Sequence, residues 1–333
     1  MGKKIFKSIV IILVLSLLSI ISRNQVNSGA SWAKSGNKAV MKKFKNIYEA
    51  SGVQQIADGR VVIIEDEKSL AIKHILTFVS ENKVQEHPLK FSHHSRRMKT
   101  KLNDLEGVAV DADDNVFVIT SHSRNIKGKR KHSRERLGRF KIKRNLITNF
   151  QEIGSLGSYI RKKLDAYEIN IEAISFDAEK QKLLIGLREP LIAGKSLIVV
   201  LENPNTIFDL HEKPKISDQL FRLDLHGGGI RAMDFDQELG GYLLVNEINN
   251  AKGKTRSKFW FWTGNSSDNP RKITITGMEN VKNIEGISSV NINGEPHILI
   301  VSDDGKMYKH KCAHYKVIQY NQLVISPATG STH

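Results

Sequence analysis

The sequence predicts an all-β fold, a β-propeller of four-stranded antiparallel blades, on three observations. One motif recurs along the chain, each copy is followed by a turn and a hydrophobic run, and further strand-like segments bring each unit to about four strands. The clear copies are DLEGVAVD (104–111), NIEAISFD (170–177), GIRAMDFD (229–236) and NIEGISSV (283–290). A weaker copy, EASGVQQI (49–56), carries Ser51 where the others carry Glu or Arg. Five repeats give five blades, and the extra length in 125–168 leaves room for a sixth. A large β-sandwich is the alternative, but it supplies no reason for one motif to recur.

Taken in order, each unit opens as a hairpin. Asp58-Gly59 precedes VVII (61–64), Asp113-Asp114-Asn115 precedes VFVI (116–119), and Glu179-Lys180-Gln181 precedes LLIG (183–186). Gly240-Gly241 precedes YLLV (242–245) and Asn293-Gly294 precedes HILIV (297–301). Third strands are expected at LAIKHIL (70–76), SLIVVLE (196–202), KFWFWT (258–263) and KMYKHKC (306–312), and fourth strands at QLFRLDL (219–225) and RKITITG (271–277). The apolar spacing of 155–167 is that of a short helix. Residues 39–45 are placed to close the last blade and tie the termini together.

A chain of 333 residues that is 40% hydrophobic and 26% charged can bury a core, which argues against wholesale disorder and against a multi-span membrane protein. Cys312 is the only cysteine, so a disulfide scaffold and a Cys-rich metal site are excluded. Residues 1–33 have the layout of a signal peptide: three lysines, the uncharged run 8–22, then a polar stretch with small residues. The reading is export to the periplasm or exterior, with an uncleaved membrane anchor as the alternative. Its removal takes four basic residues and no acid from a formal charge of +16, leaving the domain 34–333 at +12.

If the motif is the innermost strand of each blade, its charged position faces the central axis at one mouth, and the end of the next strand returns there. The first set is Ser51, Glu106, Glu172, Arg231 and Glu285. The second, sixteen residues on, is Glu67, His122, Arg188, Glu247 and Val301, the last becoming Asp303 if its turn is two residues longer. Clustered carboxylates hold a hard cation such as Ca²⁺ or raise one another's pKa, and arginines clamp phosphate or carboxylate. Glu106, Glu172, Glu285 and Asp303 are the candidate metal ligands. Arg188 and Arg231, with Arg124, Glu189 and Glu247 beside them, are the candidate ligand contacts. His122 and Glu172 are the candidate acid–base residues. The bland alternative is that strand-end charges merely end turns or bridge blades.

These segments resemble those of a bacterial family catalogued as domain of unknown function 3616. The resemblance rests on DLEGVAVD, on SHSR (121–124) with Arg134, Arg136 and Arg139, on IEA (171–173) with GLREP (186–190), on GGGIR (227–231), and on Glu285-Gly286 with SDDG (302–305). More remotely, the layout is similar to phytase-like and gluconolactonase-like propellers, whose axial carboxylates bind calcium or another divalent ion and act on phosphoesters or lactones. The gluconolactonase-type site uses a Glu, an Asn and an Asp around one metal, whereas this ring contains Arg188 and Arg231.

Between 124 and 144 stand eleven Lys or Arg against the single acid Glu135. This basic loop is either a solvated run, a funnel for anionic substrate, or a patch for anionic lipid or polysaccharide. Nucleic acid is disfavoured, because only Phe140 is available for base stacking and the signal removes the protein from the cytosol. The expected function is binding of a small phosphorylated or carboxylated ligand at the axial mouth. A metal-assisted phosphoesterase or lactonase and a non-catalytic envelope protein are the alternatives.

Overall fold

The computed structural model describes residues 41–66, 72–98, 102–249, 253–304 and 309–328. The expected signal segment, Glu67 and the tail beyond 328 lie outside them.

Five sheets form the blades of a propeller, antiparallel throughout except where the edge strand Lys90–Phe91 pairs parallel with Leu146–Ile153 in the second blade. Their inner strands are Ala50–Gln55, Leu105–Val110, Asn170–Asp177, Ile230–Asp236 and Ile284–Ile292, and each packs beside its neighbours around the ring. The second strands are Val61–Glu65, Val116–Thr120, Lys182–Ile192, Gly241–Asn249 and Glu295–Ser302. Each contains a continuous buried apolar run, such as Val61–Ile64 or Leu183–Ile185, because both faces of a blade are covered. In the first blade, Val61 and Ile63 face the seam with the fifth blade, while Val62 and Ile64 face the seam with the second. Five apolar clusters result, one in each seam between blades.

Ring closure follows the expectation for 39–45: Lys42–Lys43 pairs antiparallel with His314–Ile318 of the last blade. The C-terminal strand Leu323–Ile325 steps back to pair with Arg271–Ile275, the outer strand of the fourth blade. The helix expected in 155–167 is Leu156–Leu164.

Three expectations need correction. No sixth blade forms, since 125–168 supplies the outer strands Leu137–Lys143 and Leu146–Ile153 of the second blade as well as that helix. A third of the basic run at 124–144 is therefore strand rather than loop. The third strand of the first blade is His74–Ser80 rather than 70–76, and that of the last is His314–Ile318 rather than 306–312. Cys312 precedes that strand and is buried, its thiol donating to the Lys45 carbonyl at 3.1 Å.

Candidate functional site

Each inner hairpin contains the same irregularity. The pairing steps from Leu105↔Thr120 to Gly107↔Ile119, so Glu106 has no residue opposite it and is the extra residue of a β-bulge. Ser51, Glu172, Arg231 and Glu285 are skipped in the same way. Five bulges thus aim the five registered side chains at the axis. The small residue that follows each is required by close approach: a Cβ on Gly286 would lie 2.6 Å from Val301 Cγ2.

The axial cavity is narrow, about 10 Å³, room for roughly one water. Ser51, Glu106, Glu172 and Glu285 line it. One carboxylate oxygen each from Glu106, Glu172 and Glu285 lies within 4.8 Å of the others. Arg231 holds this group together, with Nη1 2.6 Å from Glu172 Oε2, Nη2 in contact with Glu285, and Nε 4.0 Å from Glu247. Its side chain is only 11% exposed. Arg231 is therefore spent on carboxylates rather than open to an anion.

Arg188 behaves differently. Nη1 donates to Glu172 at 2.8 Å, while 47% of the side chain stays exposed. The glycines of GGGIR support it, since a Cβ on Gly229 would lie 2.0 Å from the Arg188 carbonyl oxygen. Glu189 is exposed next to it. Glu247 accepts from the Asn283 N–H at 2.7 Å, which ties it to the main chain of the next blade.

Two carboxylates that the sequence reading did not single out join the site. Asp66, Asp104 and Glu106 form a second group within 4.8 Å, and Arg134 pairs with Asp104. Asp104 stands in the left-handed region at φ 68°, a conformation that Asp and Asn tolerate. The Asp or Asn that opens three of the clear motif copies was the available signal.

The electrostatics follow from this crowding. Burial, reinforced by Glu172, Asp104 and Asp66, pushes the Glu106 carboxyl well above its usual range, although Arg231 pulls the other way. Burial and the neighbouring Asp104 and Glu49 push Asp66 up to about 7, against the pull of Arg134. Burial also raises Glu172, opposed by Arg231 and Arg188. The site therefore biases the Glu106 carboxyl toward its protonated form, beside carboxyl groups that arginine compensates.

Other expected residues lie elsewhere. His122 is fully buried, with Nδ1 donating to the Thr120 carbonyl at 2.7 Å and the ring against Gly157 of the helix. Burial lowers it to about 4, so it is neutral at physiological pH. It does not join the carboxylates. Arg124 pairs with Glu168 and stacks over Tyr167, with 4.9 Å from its guanidinium carbon to the ring centroid. Asp303 donates its backbone N–H to the Asn283 carbonyl at 2.9 Å and lies outside both carboxylate groups.

A divalent cation of the kind held by calcium propellers fits this donor set poorly. Arg231 already sits on Glu172 and Glu285, and Arg134 on Asp104, so an incoming dication would meet a fixed guanidinium in either group.

The family model described as protein of unknown function (DUF3616) matches residues 129–318. No curated protein sequence matches the chain. Among solved structures, an α-L-arabinofuranosidase from Clostridium thermocellum ATCC 27405 is similar at 8% identity and a TM-score of 0.50, over 86% of this chain and 97% of that one. A GH43_1 enzyme from Xanthomonas citri is similar at 12% identity and a TM-score of 0.48, over 89% and 97%. At such identities the first likeness shows the propeller fold alone.

Proposed function

The chain belongs to the family described as protein of unknown function (DUF3616), and from its axial site we propose that it binds a small phosphorylated or carboxylated ligand at the propeller mouth. The observation that carries this reading is Arg188, which uses one donor on Glu172 and keeps nearly half its surface exposed beside the carboxyl groups. Its remaining N–H donors suit two oxygens of one anion. Glu106, which burial biases toward its protonated form, can donate a further hydrogen bond, and Arg231 fixes Glu172 so that Arg188 is held in place.

The sign of the pH dependence follows. Asp66 gains its negative charge as the pH rises through about 7. Affinity for an anion at this mouth should therefore weaken from pH 6 to pH 8. Export is part of the proposal and rests on the layout of residues 1–33.

Thermal unfolding of the protein with a panel of phosphorylated and carboxylated compounds tests the reading, because a ligand selective for the folded state raises the midpoint. Arg188→Met should abolish the shift, and Arg188→Lys should retain part of it. An unchanged shift in Arg188→Met would remove the axial site from consideration. Hydrolysis of a phosphoester or lactone is a second reading, favoured by Glu106, biased toward its protonated form, next to Glu172, which two arginines pull toward its ionised form, the pairing that acid–base chemistry needs. Following the stabilising compounds for turnover decides between them.

A further inference from the structure

A second surface, independent of the axial site, lies on the turn that follows the second strand of the second blade. Asn125 closes it: its side-chain oxygen accepts from the N–H groups of Lys127 and Lys129, each at 3.0 Å, and its carbonyl accepts from Gly128 at 2.8 Å. Arg124 braces the turn from beneath by donating to the Gly128 carbonyl at 2.8 Å. Arg130 donates to the Tyr167 carbonyl at 2.6 Å and to Glu168 at 3.0 Å. The turn is thus rigid before it meets a partner.

What this scaffold presents is unusual for a solvated loop. Ile126 is completely exposed, at 104% of its reference surface, and Tyr167 is 78% exposed. Lys127, Lys129 and Lys131 are exposed around Ile126, and none has an acidic partner among the described residues. The arginines of the run behave otherwise. Arg124 and Arg130 are neutralised by Glu168 and Glu135, and Arg134 by Asp104. Between residues 124 and 134 the basic run therefore divides into arginines paired with acids of the fold and lysines that are exposed just after one apolar side chain.

We propose that this turn docks the protein on an anionic lipid surface, with Ile126 and Tyr167 entering the headgroup layer and the three lysines meeting lipid phosphates. The lysines alone would suit any polyanion. Ile126 selects lipid, because burying an aliphatic side chain is favourable at the edge of a hydrocarbon layer and gains nothing against a hydrated polysaccharide. Tyr167 suits the same interface, with an apolar ring and a polar tip. Each lysine near an anionic surface contributes a factor of about five in partitioning, so removing all three should weaken docking roughly 100-fold.

Residues 1–40 contain their own apolar run, so sedimentation with vesicles would not isolate this turn; a probe on the turn does. In the full chain, Ile126→Cys is labelled with an environment-sensitive fluorophore, Cys312 being buried. The label is titrated with vesicles of phosphatidylcholine alone and of phosphatidylcholine with phosphatidylglycerol. A blue shift on the anionic vesicles only, weakened about 100-fold by Lys127→Gln, Lys129→Gln and Lys131→Gln together, is the expected result. No shift on anionic vesicles, an equal response from the triple variant, or a shift with heparin but not with vesicles would each overturn the proposal. All four substitutions are at exposed positions, and an unchanged near-ultraviolet dichroism confirms the fold.

Discussion

The two ends of the inner strands carry the same residue types and resolve their charges in opposite ways. At the turn end, Asp111 accepts from the N–H groups of Asp113 and Asn115, at 3.0 and 2.8 Å. Asp177 accepts from the N–H of Lys180 at 2.9 Å, and Asp236 from that of Leu239 at 2.8 Å. Each carboxylate accepts from the main chain of its own turn, and Asp236 accepts in addition from the Ser289 and Tyr320 hydroxyls at 3.0 and 2.6 Å. At the mouth, Glu106, Glu172 and Glu285 face one another across blades, and the cations that answer them are side chains, Arg231 and Arg188. A carboxylate fastened to its own turn is a structural fixture. One balanced by arginine side chains, Arg188 of its own blade for Glu172 and Arg231 of the fourth blade for Glu172 and Glu285, is not fixed by a turn, which suits the mouth to the proposed ligand.

The comparison breaks most visibly at Arg231. Arg231→Met should cost about 3–5 kcal/mol in urea unfolding at pH 7, because it leaves buried carboxylates without their cation. The loss should shrink toward pH 5 as those glutamates take up protons. A loss below about 1 kcal/mol would mean that the guanidinium does not compensate them. At the other end, Asp111→Ala should cost about 1–3 kcal/mol, the price of buried N–H groups left without an acceptor, with no change in cost between pH 6 and pH 8.

Asp66 sharpens the contrast further. Its folded pKa of about 7 lies above the ordinary 3.8, so the native state holds a proton that the unfolded chain has released. Its contribution is fully present below about pH 4 and is lost as the pH rises through 7. Asp66→Asn should therefore leave stability unchanged at pH 4 and raise it by about 1–4 kcal/mol at pH 8, measured as the difference in urea midpoint. The smallest effect is expected from chelation: EDTA should leave the unfolding midpoint within error, since arginine supplies the cation at the mouth. A drop of several degrees would restore the calcium reading.

A raised pKa does not by itself mark the mouth. Burial pushes Asp234 up to about 7 as well, against the pull of the Ser289 N–H, yet Asp234 lies toward the other end of its strand. Partners, rather than titration, separate the two regions.

Much of this was legible in the sequence. The five repeats, the small residue behind each axial position and the closing role of 39–45 all follow from pattern, because a bulge and a close approach restrict residue type wherever they recur. The count of sixteen residues to the second position was less secure. It led to His122, which lies two residues past the end of its strand at Thr120 and has a left-handed backbone, φ 55°, with its ring packed beneath a helix far along the chain. It also led to Glu67 while passing over Asp66 next to it. Arg231 and Arg188 looked equivalent as anion holders, and only the folded geometry shows one saturated and the other half open. Strand parity sets the face on which a side chain emerges; which neighbours answer it depends on blades brought together from distant sequence.

The closing strand has a mechanical consequence. Lys42 and Lys43 are held by only two residue pairs, to Tyr315 and His314, with Phe44 adding one bond to the Ala313 carbonyl at 3.0 Å. A pull applied to the chain at residue 41 is thus received by the last blade before the first. Under load the ring should open at the seam between them, while Leu323–Ile325, fastened to the fourth blade, keeps the other end attached.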